Sequence, residues 1–222
     1  NMINKELQKR ILSSIILIPI AIFFIFQGSV FFASFLSIFF LASSYEWIKM
    51  NKKDILKVIG IFYLFFTSVL AYLLREQFSL GIFILILIIC VFTDLGGYIF
   101  GKFFKGPKLI KISPNKTYAG TFGGFLLAVV ASLVFSNYIN SDPWFSFPLE
   151  FLELTKNYET TFLIFVLIIS LVSQIGDLII SYFKRLAKVK DTGKIIPGHG
   201  GILDRIDGMI FAFPIAYIIF KI

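Results

Sequence analysis

One cysteine, Cys90, and one histidine, His199, are all that the 222 residues contain of either type. A lone cysteine excludes an intrachain disulfide, and one histidine beside it excludes a zinc site built from a Cys/His cluster. No Ser–His–Asp or Cys–His pairing is apparent, and Cys90 lies inside an apolar run where it reads as packing. Charge is scarce too. Only 15% of residues are charged, and they stand in short blocks. No internal repeat, low-complexity tract or Pro/Gly/Ser linker parts the chain into domains. The alternating ten-residue segments of an outer-membrane barrel are missing. The first apolar run has no A-x-A-like site after it and contains Pro19, so it does not read as a cleaved signal.

What fills the chain is apolar. Hydrophobic residues make up 58% of it, and Phe alone occurs 29 times, beyond the apolar share of a soluble domain. Windows of about 20 residues place spans near 11–27, 29–48, 55–74, 79–101, 117–137, 160–183 and 205–221. The expected fold is an all-α polytopic integral membrane protein with about seven transmembrane helices.

The cations are one-sided. All but three of the 21 basic residues fall at the N-terminus or in the loops after spans two, four and six. The exceptions, Arg75, Lys156 and Lys221, share the other side with most loop acids, including Glu76, Asp142 and Glu150. The positive-inside rule makes the basic side cytoplasmic and puts the C-terminus outside. The net charge of +8 thus belongs to one membrane face, where anionic lipid and nucleotide are found. No nucleic-acid module is visible, so the charge does not imply a nucleic-acid partner. Near the end of span two, Glu46 is expected at the interface beside Trp47 and Lys49, with Tyr45 and Trp47 as anchors.

Chemistry concentrates in three places. Span four ends Thr93-Asp94-Leu95-Gly96-Gly97 and runs on to Gly101-Lys102. A carboxylate in hydrocarbon is costly, so Asp94 should face the bundle or a wet cavity. Gly97 and Gly101 form a small-residue face that leaves room for a homodimer. The near P-loop Gly96-x-x-x-x-Gly101-Lys102 fails at Phe103, where Ser or Thr would hold magnesium. Second, Lys116 and Thr117, expected at a helix N-terminus, would cradle phosphate. Third, span six sets Ser170, Ser173, Asp177, Ser181 and Lys184 on one face. Asp204 and Asp207 are expected one turn apart at the start of span seven. With Asp177 they offer oxygen ligands and no Cys or His cluster, a set that suits magnesium rather than zinc.

The stretch Ser181-x-Phe183-Lys184-Arg185, then Lys190-Asp191, Pro197-x-His199-Gly200-Gly201 and Asp204-Arg205-x-Asp207 resembles the signature of the phosphatidate cytidylyltransferases (CDP-diacylglycerol synthases). The likeness covers 27 consecutive positions, 181–207, with the spacing intact. Ser113-Pro114-Asn115-Lys116-Thr117-Tyr118-Ala119-Gly120 is similar to a second block of that family, S-P-K-K-T-x-E-G. Asn115 departs from its usual Lys, and Ala119 from its usual Glu.

The resemblance implies one integral membrane catalytic domain over 1–222 that uses CTP and phosphatidic acid. It implies a bacterial inner membrane location with the active site facing the cytoplasm. It gives Asp177 and Asp204 as magnesium ligands. Lys184, Arg185, Asp191, His199, Arg205 and Asp207 become catalytic candidates. Asp94, Lys116, Thr117, Ser181, Lys190, Gly200 and Gly201 become substrate contacts. Replacing Asp204 by Asn is then expected to abolish activity and spare the fold. Two alternatives stay open: another CTP-dependent lipid enzyme (a CDP-archaeol synthase or polyprenol kinase), or an ion or proton transporter relaying through Asp94 and Asp177. A transporter needs polar residues across the membrane, and spans one, three and five have almost none.

Overall fold

A computed structural model describes residues 2–110, 113–139, 158–198 and 200–221. Most of the outer loop expected at 138–160, and His199, lie outside the described residues. Backbone in hydrocarbon must satisfy its own hydrogen bonds, so the long apolar runs become helices. These are α1 (Met2–Gln27), α2 (Ser29–Met50), α3 (Asp54–Leu73), α4 (Leu80–Phe104), α5 (Tyr118–Ile139), α6 (Tyr158–Leu186), α7 (Leu203–Ile206) and α8 (Met209–Lys221). Gly28 alone separates α1 from α2, at φ 65, a left-handed conformation that glycine enters without a Cβ penalty. A single π turn, Leu74–Phe78, continues α3.

Among the described residues six helices are long and apolar enough to cross a membrane, with mean hydropathy from 1.4 to 2.5. This is an all-α polytopic membrane protein with one exception among the described residues. Strands β1 (Lys108–Ile110) and β2 (Ser113–Thr117) pair antiparallel in the loop after α4, with Lys108 opposite Thr117. The seventh apolar helix is shorter than expected. α8 has 13 residues, about 20 Å of helix against roughly 30 Å of hydrocarbon.

The chain falls into two compact units. The first comprises residues 1–72 and 183–206. Trp47 anchors its α2–α3 corner. The indole is 6% exposed and donates from Nε1 to the Leu56 carbonyl at 2.8 Å. Its ring meets Phe183 edge-on at 4.9 Å. Trp47, expected from sequence as an interfacial anchor, is packed inside the unit, because an indole can be buried once its N–H has a partner.

The second unit comprises residues 73–182 and 207–222. Its α4 and α5 touch backbone to backbone at Gly96 and Gly123. The small-residue face on α4 is used inside the unit, where Gly97 faces Gly120 and Gly101 faces Thr117. Phe83 of α4 stacks on Phe213 of α8 at 5.1 Å. Thr93 of α4 and Ser170 of α6 share a buried hydrogen bond of 2.8 Å, so the upper part of α6's polar face is spent on helix packing.

Candidate functional site

In the first unit the site is a loop. α6 ends where Lys188 turns to φ 57 and the Val189 N–H reaches back to the Lys184 carbonyl at 3.0 Å, a left-handed helix stop. The chain then folds back on itself, and Ile196 and Gly200 form a bridge. Gly198 at φ 79 and Gly200 at φ 88 make this turn in a region L side chains avoid. Asp204 pins both limbs. Its Oδ1 accepts from the Lys184 ammonium at 2.8 Å. Its Oδ2 accepts from the backbone N–H of Thr192 at 2.8 Å and of Gly201 at 3.1 Å.

The loop opens onto a cavity of about 340 Å³ lined by Arg10, Lys190, Asp191, Gly198, Gly200 and Arg205. Four of these, Lys190, Asp191, Gly200 and Arg205, are site residues expected from the sequence. Arg10 of α1 is new; its sequence context marked it only as one of the cations that orient the chain. Arg185 is exposed on the last turn of α6.

The second unit holds a separate polar group. Lys116 of β2 ion-pairs with Asp177 of α6, and its ammonium also reaches the Gln174 carbonyl at 3.4 Å. Ser181 donates to the other oxygen of Asp177 at 3.3 Å. Thr117 ends β2 and caps α5, its Oγ1 accepting from the Gly120 N–H at 3.1 Å. That hydroxyl is thereby committed to the helix start. Asp94 lies on α4 and is exposed.

Asp204 and Asp207 do not share a helix face, contrary to the sequence expectation. α7 ends at Ile206 and α8 begins at Met209. Between them the buried Asp207 turns its Oδ1 onto the N–H of Gly208 at 2.9 Å. A short acid that bonds adjacent backbone competes with helix, and glycine lowers the cost of the break. Asp204 accordingly belongs to the first unit and Asp207 to the second.

The residues matched by the cytidylyltransferase family model are 52–222, most of the described site among them. The chain belongs to the cytidylyltransferase family. It is 35% identical over 162 residues to a phosphatidate cytidylyltransferase of Brucella suis, covering 72% of this chain and 54% of that one. To the same-named protein of Staphylococcus epidermidis it is 41% identical over 128 residues, 57% of this chain and 44% of the relative. The chain spans about half the length of these relatives. A phosphatidate cytidylyltransferase of Rickettsia felis matches at 35% over 227 residues, with 97% of this chain and 93% of the relative covered. Arg10 of the cavity falls before the stretch that the family model matches, as does Glu46, a buried residue of α2.

Proposed function

We propose that this protein transfers the cytidylyl group of CTP to phosphatidic acid, giving CDP-diacylglycerol and pyrophosphate. The cavity carries the reading. Arg10, Lys190 and Arg205 line it with Gly198 and Gly200, and cations beside bare backbone suit a polyanion. Its volume of about 340 Å³ falls within the roughly 300–1,000 Å³ of small-molecule sites. The relatives' shared name supplies the substrate pair.

A phosphomonoester is largely dianionic at neutral pH, its second pKa being about 6, so no base is needed to make the nucleophile. A phosphate oxygen of the lipid attacks the α-phosphorus of CTP. The bond from that phosphorus to the bridging oxygen of the β-phosphate breaks, and its electrons leave with pyrophosphate. The protein's task is to hold two anions together and neutralise the departing one. Arg10, Lys190 and Arg205 are assigned to the phosphates. The cation-rich side is assigned to the cytoplasmic face of a bacterial inner membrane.

A divalent cation belongs to this proposal. Among the described residues no three Asp, Glu, His or Cys side chains gather as a metal cage. Magnesium rarely needs one, since it binds through one or two carboxylates together with substrate phosphates. Asp204 in the first unit and Asp177 in the second remain proposed as ligands, each taken by itself. Each holds a positive charge already, the ammonium of Lys116 and of Lys184 respectively. When bound, the metal supplies further neutralisation of phosphate charge.

The test is product analysis. Purified protein given labelled CTP, phosphatidic acid and magnesium should yield labelled CDP-diacylglycerol, and none without a divalent cation. CDP together with a newly phosphorylated lipid would mark a kinase and end the cytidylyltransferase reading. In the same assay Arg10→Ala should raise the KM for CTP about tenfold, the loss of one charged hydrogen bond, with kcat little changed. An unchanged KM would remove Arg10 from the phosphate site.

A further inference from the structure

Glu46 is the one acidic residue of α2, and it is 1% exposed. Three donors converge on it. The Thr192 hydroxyl reaches Oε2 at 2.9 Å, the Leu203 N–H reaches Oε2 at 2.9 Å, and the Ile202 N–H reaches Oε1 at 3.0 Å. We propose that Glu46 is the positioning residue of the polar loop. It clamps the limb at Thr192 to the limb at Ile202–Leu203, and so sets where Lys190, Asp191 and Arg205 stand around the cavity. The proposal rests on the reading that this cavity takes the phosphates of CTP.

Two carboxylates divide the donors of the same two limbs. Thr192 gives its backbone N–H to Asp204 and its hydroxyl to Glu46. The second limb gives the Gly201 N–H to Asp204 and the next two N–H groups to Glu46. Asp204 belongs to the loop and moves with it, whereas Glu46 belongs to α2 and ties the loop to a fixed helix. The fit is close. A Cβ on Gly193 or Gly201 would stand 2.7 or 2.8 Å from the Glu46 carboxyl carbon, inside the distances real Cβ atoms keep. The base of the clamp is itself held, because Trp47, the next residue, is bonded to Leu56, and Asn51 donates back to the Trp47 carbonyl at 2.9 Å.

Burial excludes direct contact between Glu46 and a ligand, so its effect must pass through the loop. Asp191 and Lys190 directly precede Thr192, and Arg205 follows Leu203 by two residues. Slack in either limb therefore reaches the cavity wall within a residue or two. Glutamine at position 46 keeps the shape but presents an amide NH₂ where an oxygen now accepts, leaving at least one buried N–H unpaired.

The test uses the full chain in detergent, with Glu46→Gln, Thr192→Val and Thr192→Ser, and with Asp54→Asn as an unrelated surface control. Hydrogen exchange of residues 189–203 should rise about tenfold or more in Glu46→Gln, and the KM for CTP should rise by about the same factor. The melting temperature of the helices should hold. Thr192→Val should show a smaller change of the same kind, and Thr192→Ser should restore wild-type values. The double variant Glu46→Gln/Thr192→Val should be no worse than Glu46→Gln alone. Unchanged loop exchange in Glu46→Gln overturns the clamp, as does a kinetic loss that follows melting with KM unmoved. If Glu46→Gln does not fold, Thr192→Val against Thr192→Ser decides. A wild-type protein without CTP turnover sinks only the functional reading, because the exchange measurement still judges the clamp.

Discussion

Asp204→Asn is expected to cost the protein both the order of its loop and its activity. The sequence alone pointed to a charge needed only for chemistry, with the fold spared. In the structure the Asp204 side chain is 7% exposed and its Lys184 partner 13%, so the pair is screened little by water. Removing one partner leaves a buried ammonium unmatched, a change that costs about 3–5 kcal/mol. The Lys184 ammonium and the Thr192 and Gly201 N–H groups, which now divide the two carboxylate oxygens between them, would also compete for the one oxygen that remains. Turnover should fall on the order of 10²–10³, as for other lost electrostatic contacts. Thermal melting and CTP turnover, measured together, check both halves. Adding Lys184→Met to Asp204→Asn removes the stranded charge, so the double variant should regain stability and stay inactive. A single variant that melts like wild type would show that the pair does not hold the loop.

The second large effect lies in the other unit. Gly96→Ala should disrupt the α4–α5 contact, because the new methyl would collide with the Gly123 carbonyl, 2.7 Å from its carbon, and stand 2.9 Å from the Gly124 Cα. These are backbone atoms of a packed helix, which cannot rotate away as a side chain can. Overpacking of this kind costs about 1–3 kcal/mol and sometimes more. Gly97→Ala is the matched control. Its methyl would meet only the Gly120 carbonyl, at 3.8 Å, an ordinary contact, and alanine favours helix over glycine by up to about 1 kcal/mol. Melting temperature in detergent should drop for Gly96→Ala and hold or rise for Gly97→Ala. Equal behaviour of the two would mean that α4 and α5 are not in backbone contact at Gly96.

The residues by themselves determined the spans, the one-sided distribution of cations and the family. Each is a local property. A hydrophobic window needs only its own residues to find the bilayer, loop cations are counted in place, and the signature runs through 27 consecutive positions, 181–207. The same locality explains the misjudged start of the last span, where the Asp207–Gly208 turn breaks a run that its residue types otherwise continue. Gly96 was readable as one small residue among several. Only the helix packed on it singles it out.

Glu46 marks the boundary most clearly. From its neighbours it belongs at the interface beside Trp47, because a carboxylate is expensive to bury alone. Tertiary structure reverses that expectation with donors 146, 156 and 157 residues away. The cost of burying a charged group depends on which N–H groups meet it, and those belong to a loop whose path no window around residue 46 contains. Arg10 reached the cavity in the same way, through a fold that brings the first helix to the residues that follow the sixth.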